Sequence, residues 1–559
     1  MNKKLLRKKL ALMLATLKKK RKYYCEVEYI KSDGIDLMYI NPNLAYFPDF
    51  EIGVKCDSNS DRNATLGING DNMLERFGSS LPYWTLHASG TTFRSDVGVG
   101  TYADAKYKDG VFSVNGVTFG TKENTFPFGG LCLFKGSAGN NNRYKMSIYF
   151  FKAWDSNGGL VRDMIPVLDW NYVPCMYDRV TEQLFYNAGT GDFIAGREIH
   201  PVEYLESTSD EYIDTGIKFD GANTKIELKT YEDSLTRTHS ICGDDGNFFY
   251  YFRGTGNWAV GYNGTAANID SYISVGDNVF VMDKNNVYVN GVLSKTYTAS
   301  SNVSSYNTLL FNRKTTRVDK GAVTMYYCKI WNNDVLVRDY IPAIDENGVG
   351  YMFDRVSHTI YDNAGTGAFK YPAREVEYLE STGEQYIDTG VTSNLNTVVE
   401  MNLKVVSYST NNTATFFGGI ASNIGISTNI SKTNTDRYSR FGTKYAIIKR
   451  VDIEGINSTI TIDKNAFVIN GQSFAVEETS SFNGPNMCLF KVAGIASEYN
   501  TTTDVYSCKL LDSGVLVRDF VPSYKDGVLG MYDKTNDTFY PNAGTGTFAT
   551  GKIVEPEYE

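Results

Sequence analysis

Apolar and polar residues alternate along three short stretches of the chain, which is the pattern of a strand with one buried face. The buried positions would be Phe50, Ile52, Val54 and Cys56 in the first stretch, Ile226, Leu228 and Thr230 in the second, and Val399, Met401, Leu403 and Val405 in the third. Further along, Asn-Gly follows strand-like segments at Asn115, Asn290 and Asn470. Because this pair favours tight hairpins, the pattern predicts antiparallel sheets.

A helical period occurs near the N-terminus. Leu6, Leu10, Met13 and Leu17 are spaced by four, three and four residues, which places them on one stripe of a helix. Residues 1–24 also contain ten Lys or Arg and no acidic residue. We expect residues 1–25 to form a short basic amphipathic α-helix that docks, either on sister copies in a homotrimer or in an acidic socket of a larger assembly. Membrane-surface binding is the alternative, and nucleic acid comes third.

Three copies of one unit of about 175 residues fill the rest of the chain. Val-Glu-Tyr-Leu-Glu-Ser-Thr occurs at 202–208 and 376–382, with a weaker copy at Val27. Each unit ends with Leu-Val-Arg-Asp, then Met-Tyr-Asp or Met-Phe-Asp, and then Asn-Ala-Gly-Thr-Gly. We define the repeats as 26–199, 200–373 and 374–559. Since one open sheet of this size would leave faces and edges bare, we expect an all-β fold of three tandem two-sheet sandwich or jelly-roll domains.

As a set, these motifs resemble those of LamG-like, concanavalin A-like jelly-roll modules of phage and prophage virion proteins. They are also similar to modules in surface proteins of gut bacteria. The resemblance covers about 26–551. It implies three tandem concanavalin A-like β-sandwich domains and a frequent role in binding glycans or host surfaces, although many such modules are purely structural. The first repeat departs from the pattern, because Lys31–Asp36 is two residues longer than its counterparts.

The function implied by this resemblance is that of a non-enzymatic virion structural protein of a bacteriophage, a head or tail fibre or decoration protein assembled in the host cytoplasm. Residues 1–25 would then bind capsid or tail proteins, and the repeats would contact host-surface glycans. A bacterial surface or secreted glycan-binding adhesin is the alternative. A glycan hydrolase is a third hypothesis.

Charge and motif content limit the ligands and the reactions that we expect of the repeats. The chain of 559 residues has a formal net charge of -9, and without residues 1–24 the charge is -19, so the repeats are not expected to bind nucleic acid. The longest apolar run has eight residues, too few to span a membrane. No Glu-x-Asp pair of the kind used by concanavalin A-like glycoside hydrolases occurs, and we expect no enzymatic activity. The four histidines occupy unrelated places in their repeats: His87, His200, His239 and His358.

The eight cysteines predict free thiols. Cys132 and Cys488 lie in matching Cys-Leu-Phe-Lys segments, and Cys328 matches Cys508. Matching positions in separate domains cannot easily pair, which indicates assembly in a reducing cytoplasm. Without a close cysteine pair we expect no zinc, and no cofactor is expected. Calcium held near Asp178, Asp354 and Asp533 is the alternative to turn capping by these residues.

Two sets of side chains are candidates for a site. Adjacent residues of a strand point to opposite faces, so the Arg and Asp of each Leu-Val-Arg-Asp cannot form one site, and each Arg is expected to pair across to a neighbouring strand. These structural candidates are Arg162, Asp163, Asp178, Arg338, Asp339, Asp354, Arg518, Asp519 and Asp533. The candidates for stacking on a sugar are Trp84, Tyr251 and Trp258, with burial in the core as the alternative.

Overall fold

The structure is a computed structural model of the chain. It describes residues 21–44, 48–56, 63–69, 72–76, 84–88, 91–95, 97, 100–122, 132–135, 145–208, 210–235, 239–244, 248–253, 257–269, 272–313, 322–494 and 501–555. Within these ranges the chain forms strands and turns and no α-helix. A search of the described residues for a helix able to cross a membrane found none.

The predicted N-terminal helix lies largely outside the described residues, and so do Leu6, Leu10, Met13 and Leu17. Its last five residues are described, and for them the prediction is wrong. Residues 21–24 are not helical, and Cys25 begins a strand. The reason is pairing, because the Tyr24 backbone N–H donates to the Leu168 carbonyl at 2.8 Å and Cys25 lies opposite Leu168 in an antiparallel ladder.

The chain divides into two compact units. The first comprises Met1–Glu346, Gly350–Phe369 and Glu555–Glu559, and the second comprises Asn347–Val349 and Lys370–Val554. The first unit thus contains the first two repeats except 347–349 and 370–373, and the second unit contains the third repeat up to Val554. The division of the first unit into separate domains 26–199 and 200–373 stays a prediction.

The strands are numbered in chain order. The first repeat contains β1 Cys25–Val27, β2 Ile30–Lys31, β3 Asp49–Cys56, β4 Asn63–Asn69, β5 Asn72–Arg76, β6 Trp84–Ala88, β7 Thr91–Arg94, β8 Tyr102–Lys108, β9 Val111–Val114, β10 Val117–Thr121, β11 Cys132–Leu133, β12 Met146–Trp154, β13 Leu160–Leu168, β14 Pro174–Asp178, β15 Gln183–Phe185, β16 Ile194–Ala195 and, at its end, β17 Glu198–Pro201.

The second repeat contains β18 Leu205–Ser207, β19 Ile213–Asp220, β20 Thr224–Glu232, β21 Ser240–Gly243, β22 Phe249–Arg253, β23 Asn257–Tyr262, β24 Thr265–Asn268, β25 Gly276–Asp283, β26 Asn286–Val289, β27 Val292–Thr296, β28 Val303–Leu310, β29 Val323–Asn332, β30 Val335–Ile344, β31 Gly350–Asp354 and β32 Thr359–Tyr361.

The third repeat contains β33 Arg374–Glu375, β34 Leu379–Ser381, β35 Ile387–Asn394, β36 Thr397–Ser407, β37 Thr413–Ala414, β38 Phe417–Ala421, β39 Ile424–Ser427, β40 Ile430–Ser431, β41 Tyr438–Gly442, β42 Lys444–Ile447, β43 Asn457–Ile462, β44 Ala466–Ile469, β45 Gln472–Ala475, β46 Asn483–Leu489, β47 Thr502–Asp512, β48 Val515–Lys525, β49 Val528–Asp533, β50 Thr538–Pro541 and β51 Ala549–Thr550.

One sheet, which we call the major sheet, has the same strand order in every repeat. In the third repeat the order is β45-β44-β43-β36-β47-β48-β49-β50. The second repeat gives β27-β26-β25-β20-β29-β30-β31-β32 and the first gives β10-β9-β8-β3-β12-β13-β14-β15, all antiparallel. The major sheets of the first two repeats are continuous, because β17 pairs with both β1 and β30.

A second sheet, the minor sheet, faces the major sheet in each repeat. Its orders are β11-β4-β5-β6-β7, β19-β28-β21-β22-β23-β24 and β35-β46-β38-β39-β41-β42. The alternating apolar residues of β3 share a core with Trp84 and Leu86 of β6, and those of β36 share one with Phe417 and Phe441. In the second repeat Trp258 of β23 lies 5.7 Å from Phe280 of β25. Each repeat is therefore built as two sheets with apolar side chains between them.

The three Asn-Gly hairpins are confirmed. Asn115, Asn290 and Asn470 have φ of 50°, 52° and 50°, and the glycines that follow have φ of 78°, 79° and 82°. Positive φ at both central positions is the geometry of a type I′ turn, which matches the twist of the flanking strands. None of the eight cysteines, all within the described residues, forms a disulfide, and all eight are buried.

Candidate functional site

The minor sheet of the third repeat carries a groove of about 570 Å³. Its wall is built by the β38–β39 hairpin, by the residues that follow β39, and by β41. The lining residues are Thr415, Ile420, Ala421, Ser422, Asn423, Ser427, Thr428, Asn429, Tyr438, Arg440 and Gly494. We call this feature the β39–β41 groove.

The hydroxyl groups of Thr428 and Ser439 hold the backbone of the β39–β41 groove in place. Thr428 Oγ1 accepts the backbone N–H groups of Phe416 and Phe417 at 3.1 and 3.0 Å. The next residue, Asn429, donates its backbone N–H to Ser439 Oγ at 2.8 Å, and that hydroxyl donates back to the Asn429 carbonyl at 3.0 Å. These bonds end strand β39 and hold the backbone of Asn429 in place at the groove wall.

Two polar atoms of the wall lack hydrogen-bond partners in the part of the chain that the structure describes. They are Asn429 Oδ1 and Thr415 Oγ1, and both atoms are buried. A buried polar atom without a partner costs about 1–3 kcal/mol, and because protein covers both atoms, this cost falls on folding and they are not part of the open surface of the groove.

An exposed aromatic pair lies on the β41–β42 hairpin. Tyr438 of β41 and Tyr445 of β42 are 50% and 53% exposed, and their rings meet edge to face with centroids 5.0 Å apart. Arg440 lines the same groove two residues after Tyr438, on the same face of β41. A guanidinium offers five N–H donors, so the groove combines an apolar ring with donors and acceptors.

A buried carboxylate holds the hairpin that presents this pair. Glu478 Oε2 accepts the backbone N–H of Thr443 at 2.7 Å and its hydroxyl at 2.6 Å, within the β41–β42 turn. Glu478 Oε1 accepts the backbone N–H groups of Thr479 and Ser480 at 3.0 and 2.9 Å. Burial raises the pKa of Glu478, but the hydrogen bonds from Thr443, Ser480 and Thr479 outweigh it and lower the pKa to about 2.

The predicted sugar-stacking tryptophans lie elsewhere. Trp84 and Trp258 are each 1% exposed, and both pack between the two sheets of their repeats. An enclosed ring has no free face for a sugar, so their placement corrects the binding hypothesis in favour of the core alternative. Tyr251 lies in β22, and its side chain is outside the described part of the structure.

The repeated Arg and Asp residues form one cross-strand pair in each repeat. Arg162, Arg338 and Arg518 place Nε 3.6, 3.6 and 3.5 Å from carboxylate oxygens of Asp178, Asp354 and Asp533 on the next strand. The same carboxylates accept the backbone N–H groups of Asp163, Asp339 and Asp519 at 2.9, 2.8 and 2.9 Å. These cross-strand contacts indicate a structural role. None of these residues lines the β39–β41 groove.

The Asp of each Leu-Val-Arg-Asp is adjacent to the Arg and so faces the other side of the strand. Asp163 Oδ2 lies 3.6 Å from Arg179 and Asp339 Oδ2 lies 2.7 Å from Arg355. At Asp519 the backbone carbonyl accepts the Lys534 N–H at 2.9 Å. The Arg and Asp of each motif therefore belong to different contacts.

The closing Asn-Ala-Gly-Thr-Gly ties the end of each repeat to its beginning. Asn187, Asn363 and Asn542 each accept, through Oδ1, the backbone N–H of a tyrosine near the start of the same repeat, each at 3.1 Å. Those tyrosines are Tyr39, Tyr212 and Tyr386. The first glycine of the motif passes so close to the opening segment that a Cβ at Gly544 would overlap the Glu384 carbonyl oxygen. We call this contact the closing clasp.

Comparisons with known proteins give no family. No family model matches the chain, and no curated protein matches it in sequence. Among solved structures, the LG1-3 region of the laminin alpha2 chain is 9% identical with a TM-score of 0.26, covering 94% of this chain and 100% of that chain. Domains LG4-5 of the mouse laminin alpha1 chain are 10% identical with a TM-score of 0.25, covering 63% and 95%. At these values the two-sheet assignment follows from the strand pairing and the core alone.

Proposed function

We propose that the chain is a non-enzymatic structural protein of a bacteriophage particle that binds glycans of the host surface. The observation that carries the glycan part is the β39–β41 groove, whose lining combines the exposed ring of Tyr438 with the exposed polar side chains of Ser422 and Asn423. A sugar offers an apolar C–H face for the ring and hydroxyl groups for Ser422 and Asn423. Arg440 adds donors for ring or carboxylate oxygens of the sugar.

The phage part of the proposal is supported by the motifs of the three repeats, which resemble those of virion modules. The eight free buried thiols suit assembly in a reducing compartment such as the host cytoplasm. In this proposal the segment that precedes the described residues, 1–20, attaches the protein to capsid or tail proteins and assembles it as a homotrimer. A bacterial surface adhesin is the second candidate, because the same repeat motifs resemble modules of surface proteins of gut bacteria.

The lining of the groove supports binding rather than hydrolysis. Hydrolysis of a glycosidic bond uses two carboxyl groups placed on either side of that bond. Among the described residues that line the β39–β41 groove there is no Asp, Glu or His. The groove therefore offers hydrogen bonds and stacking without a general acid or base.

A glycan array probed with the full chain tests the glycan part. We expect Tyr438→Ala to weaken binding of the recognised glycan about tenfold, since a stacked ring contributes about 1.5 kcal/mol. The matched control is Tyr306→Ala, because Tyr306 is 56% exposed on the minor sheet of the second repeat. Equal loss in both variants, or unchanged binding by Tyr438→Ala, would contradict the proposal.

The location of the protein tests the phage part. We expect peptides of this chain in purified phage particles, identified by mass spectrometry. Recovery from the bacterial surface fraction and absence from particles would favour the adhesin. Release of reducing ends from host polysaccharide by the purified chain would favour the hydrolase hypothesis instead.

A further inference from the structure

Three side chains of different metal-binding types converge where the first repeat ends. Glu198 and His200 lie two residues apart on β17, so they share one face of the strand. Strand β1 pairs with β17 with Glu26 opposite Ile199 and Val27 opposite Glu198, and this register brings Cys25 to the level of His200. The ligand atoms of Cys25, Glu198 and His200 all lie within 4.8 Å of one another, and all three residues are buried.

The imidazole of His200 is oriented by carboxylates on both sides. His200 Nε2 lies 2.9 Å from Glu198 Oε2, and Nδ1 lies 2.7 Å from Glu555 Oε1. Arg21 Nη1 donates to the other oxygen of Glu555 at 2.6 Å. Arg21, Cys25, Glu198, His200 and Glu555 all belong to the first compact unit. A carboxylate that accepts from Nδ1 fixes the tautomer whose Nε2 is free to bind a metal, as in metal sites with an outer carboxylate.

The donor set suits zinc. Thiolate sulfur, imidazole nitrogen and carboxylate oxygen are its usual ligands, and a buried three-ligand site leaves one place for a second carboxylate oxygen or a water. The charges also balance, because a divalent cation and the Arg21 guanidinium match a thiolate and two carboxylates. The competing state has no metal, and an imidazolium and a guanidinium there match the two carboxylates beside a neutral thiol.

We propose that Cys25, Glu198 and His200 bind one zinc ion, with Glu555 orienting His200. The ion joins the first described strand to β17, which also pairs with β30 of the second repeat through His200 and Pro201. Zinc therefore fastens the junction between the first two repeats. The sequence predicts no zinc for want of a cysteine pair, whereas this site takes its ligands from both ends of the first repeat.

Zinc uptake by the full chain tests this site. The chain is stripped with a chelator, incubated with zinc sulfate, freed of unbound ion, and measured by elemental analysis against protein concentration. We expect one zinc per chain for the wild type and at least tenfold weaker binding for Cys25→Ala and for Glu198→Gln. The matched control is Cys175→Ala, whose thiol is equally buried in the first repeat but outside the cluster, and it should keep one zinc.

The Co²⁺ spectrum of the wild-type chain detects a thiolate ligand directly, and Cys25→Ala then identifies which thiol it is. Co²⁺ bound by Cys25 would show a thiolate charge-transfer band in the near ultraviolet, and Cys25→Ala would remove the band. A folded wild-type chain that takes up no zinc would overturn the proposal and leave the imidazolium between two carboxylates. A cobalt thiolate band that persists in Cys25→Ala would overturn it as well, because another thiol would then be the ligand.

Discussion

The two sheets of the third repeat differ in how far the other repeats share them. The major sheet has the same strand order in all three repeats, and its Arg518–Asp533 pair recurs in each. Among the described residues the minor sheet has five strands in the first repeat and six in the others, and in the third repeat it carries the β39–β41 groove. Recurrence within this chain thus accompanies folding contacts, whereas the candidate binding features lie where the repeats diverge.

The largest loss of stability should come from the buried pair of the major sheet. Asp533→Ala removes the acceptor of the Asp519 N–H and the fully buried carboxylate that pairs with Arg518, whose own side chain is 19% exposed. We expect the free energy of unfolding of the third repeat to fall by about 4 kcal/mol. Urea unfolding, followed by hydrogen exchange to locate the affected repeat, measures this change.

Asp436→Ala is the control for Asp533→Ala. Asp436 pairs with Lys449 on the surface, and each side chain is nearly half exposed. Exposed pairs of this kind contribute between 0 and about 1 kcal/mol. Equal effects of the two substitutions would contradict the structural role of the recurring pair.

A smaller loss is expected at the closing clasp. Gly544→Ala places a methyl group against the Glu384 carbonyl, so the two segments must move apart at a cost of about 3 kcal/mol. Gly514→Ala is the control, because its φ of 77° disfavours alanine but the space around it is open, whereas Gly544 does not have a positive φ and its cost comes from the overlap alone. That control should cost about 1 kcal/mol. Thermal unfolding of both variants compares the clasp with an ordinary turn.

The next prediction concerns how the stability of the β41–β42 hairpin depends on pH. Glu478→Gln removes the charge that accepts the β41–β42 turn, and we expect a loss of about 2 kcal/mol at pH 7. The pKa of Glu478 is about 2 when folded and about 4.5 when unfolded. Since the unfolded chain binds the proton more tightly, this contribution is present above pH 4.5 and declines as the pH falls toward 2.

Unfolding of wild type and Glu478→Gln at pH 7 and at pH 3 measures that contribution. The difference between the two proteins should narrow at pH 3. Glu477→Gln is the control, because Glu477 is the adjacent residue and its side chain is exposed. A difference that stays constant with pH would show that the carboxylate charge does not hold the hairpin.

The smallest effect on stability is expected at the groove itself. Tyr438→Ala removes a half-exposed ring, and the free energy of unfolding should change by less than about 0.5 kcal/mol. Thermal unfolding beside the glycan array separates this outcome from a folding defect. A loss above about 2 kcal/mol would place Tyr438 among the structural residues and weaken the contrast between the two sheets.

Much of the architecture could be predicted from local patterns. Alternation along β36 and the Asn-Gly pair at Asn470 depend on neighbouring residues, and both have the expected geometry. Burial of the whole strand accounts for the prediction that was wrong at Trp258. Ala259 of β23 is buried as well as Val260 and Tyr262, so neither face of this strand leaves the Trp258 ring exposed.

Features that depend on contacts between residues far apart in the sequence could not be predicted from local patterns. Arg21 to Cys25 resemble the end of a basic helix until β1 is placed between β13 and β17. Cys25 and His200 are separated by nearly the whole first repeat. Tyr438 and Arg440 have no counterpart motif in the other repeats, so the recurrence that led to the Arg–Asp pairs gave no signal for the groove.

The closing clasp has a consequence for how such a chain can grow. In each repeat the closing asparagine is bonded to the opening segment of the same repeat, so the partners needed to complete the unit are encoded within it. A tandem duplication of one unit therefore adds a piece that already contains both halves of its own fastening. The number of repeats can therefore change by duplication or deletion while the contacts that close each unit are kept. Each added copy also brings a minor sheet whose surface can diverge.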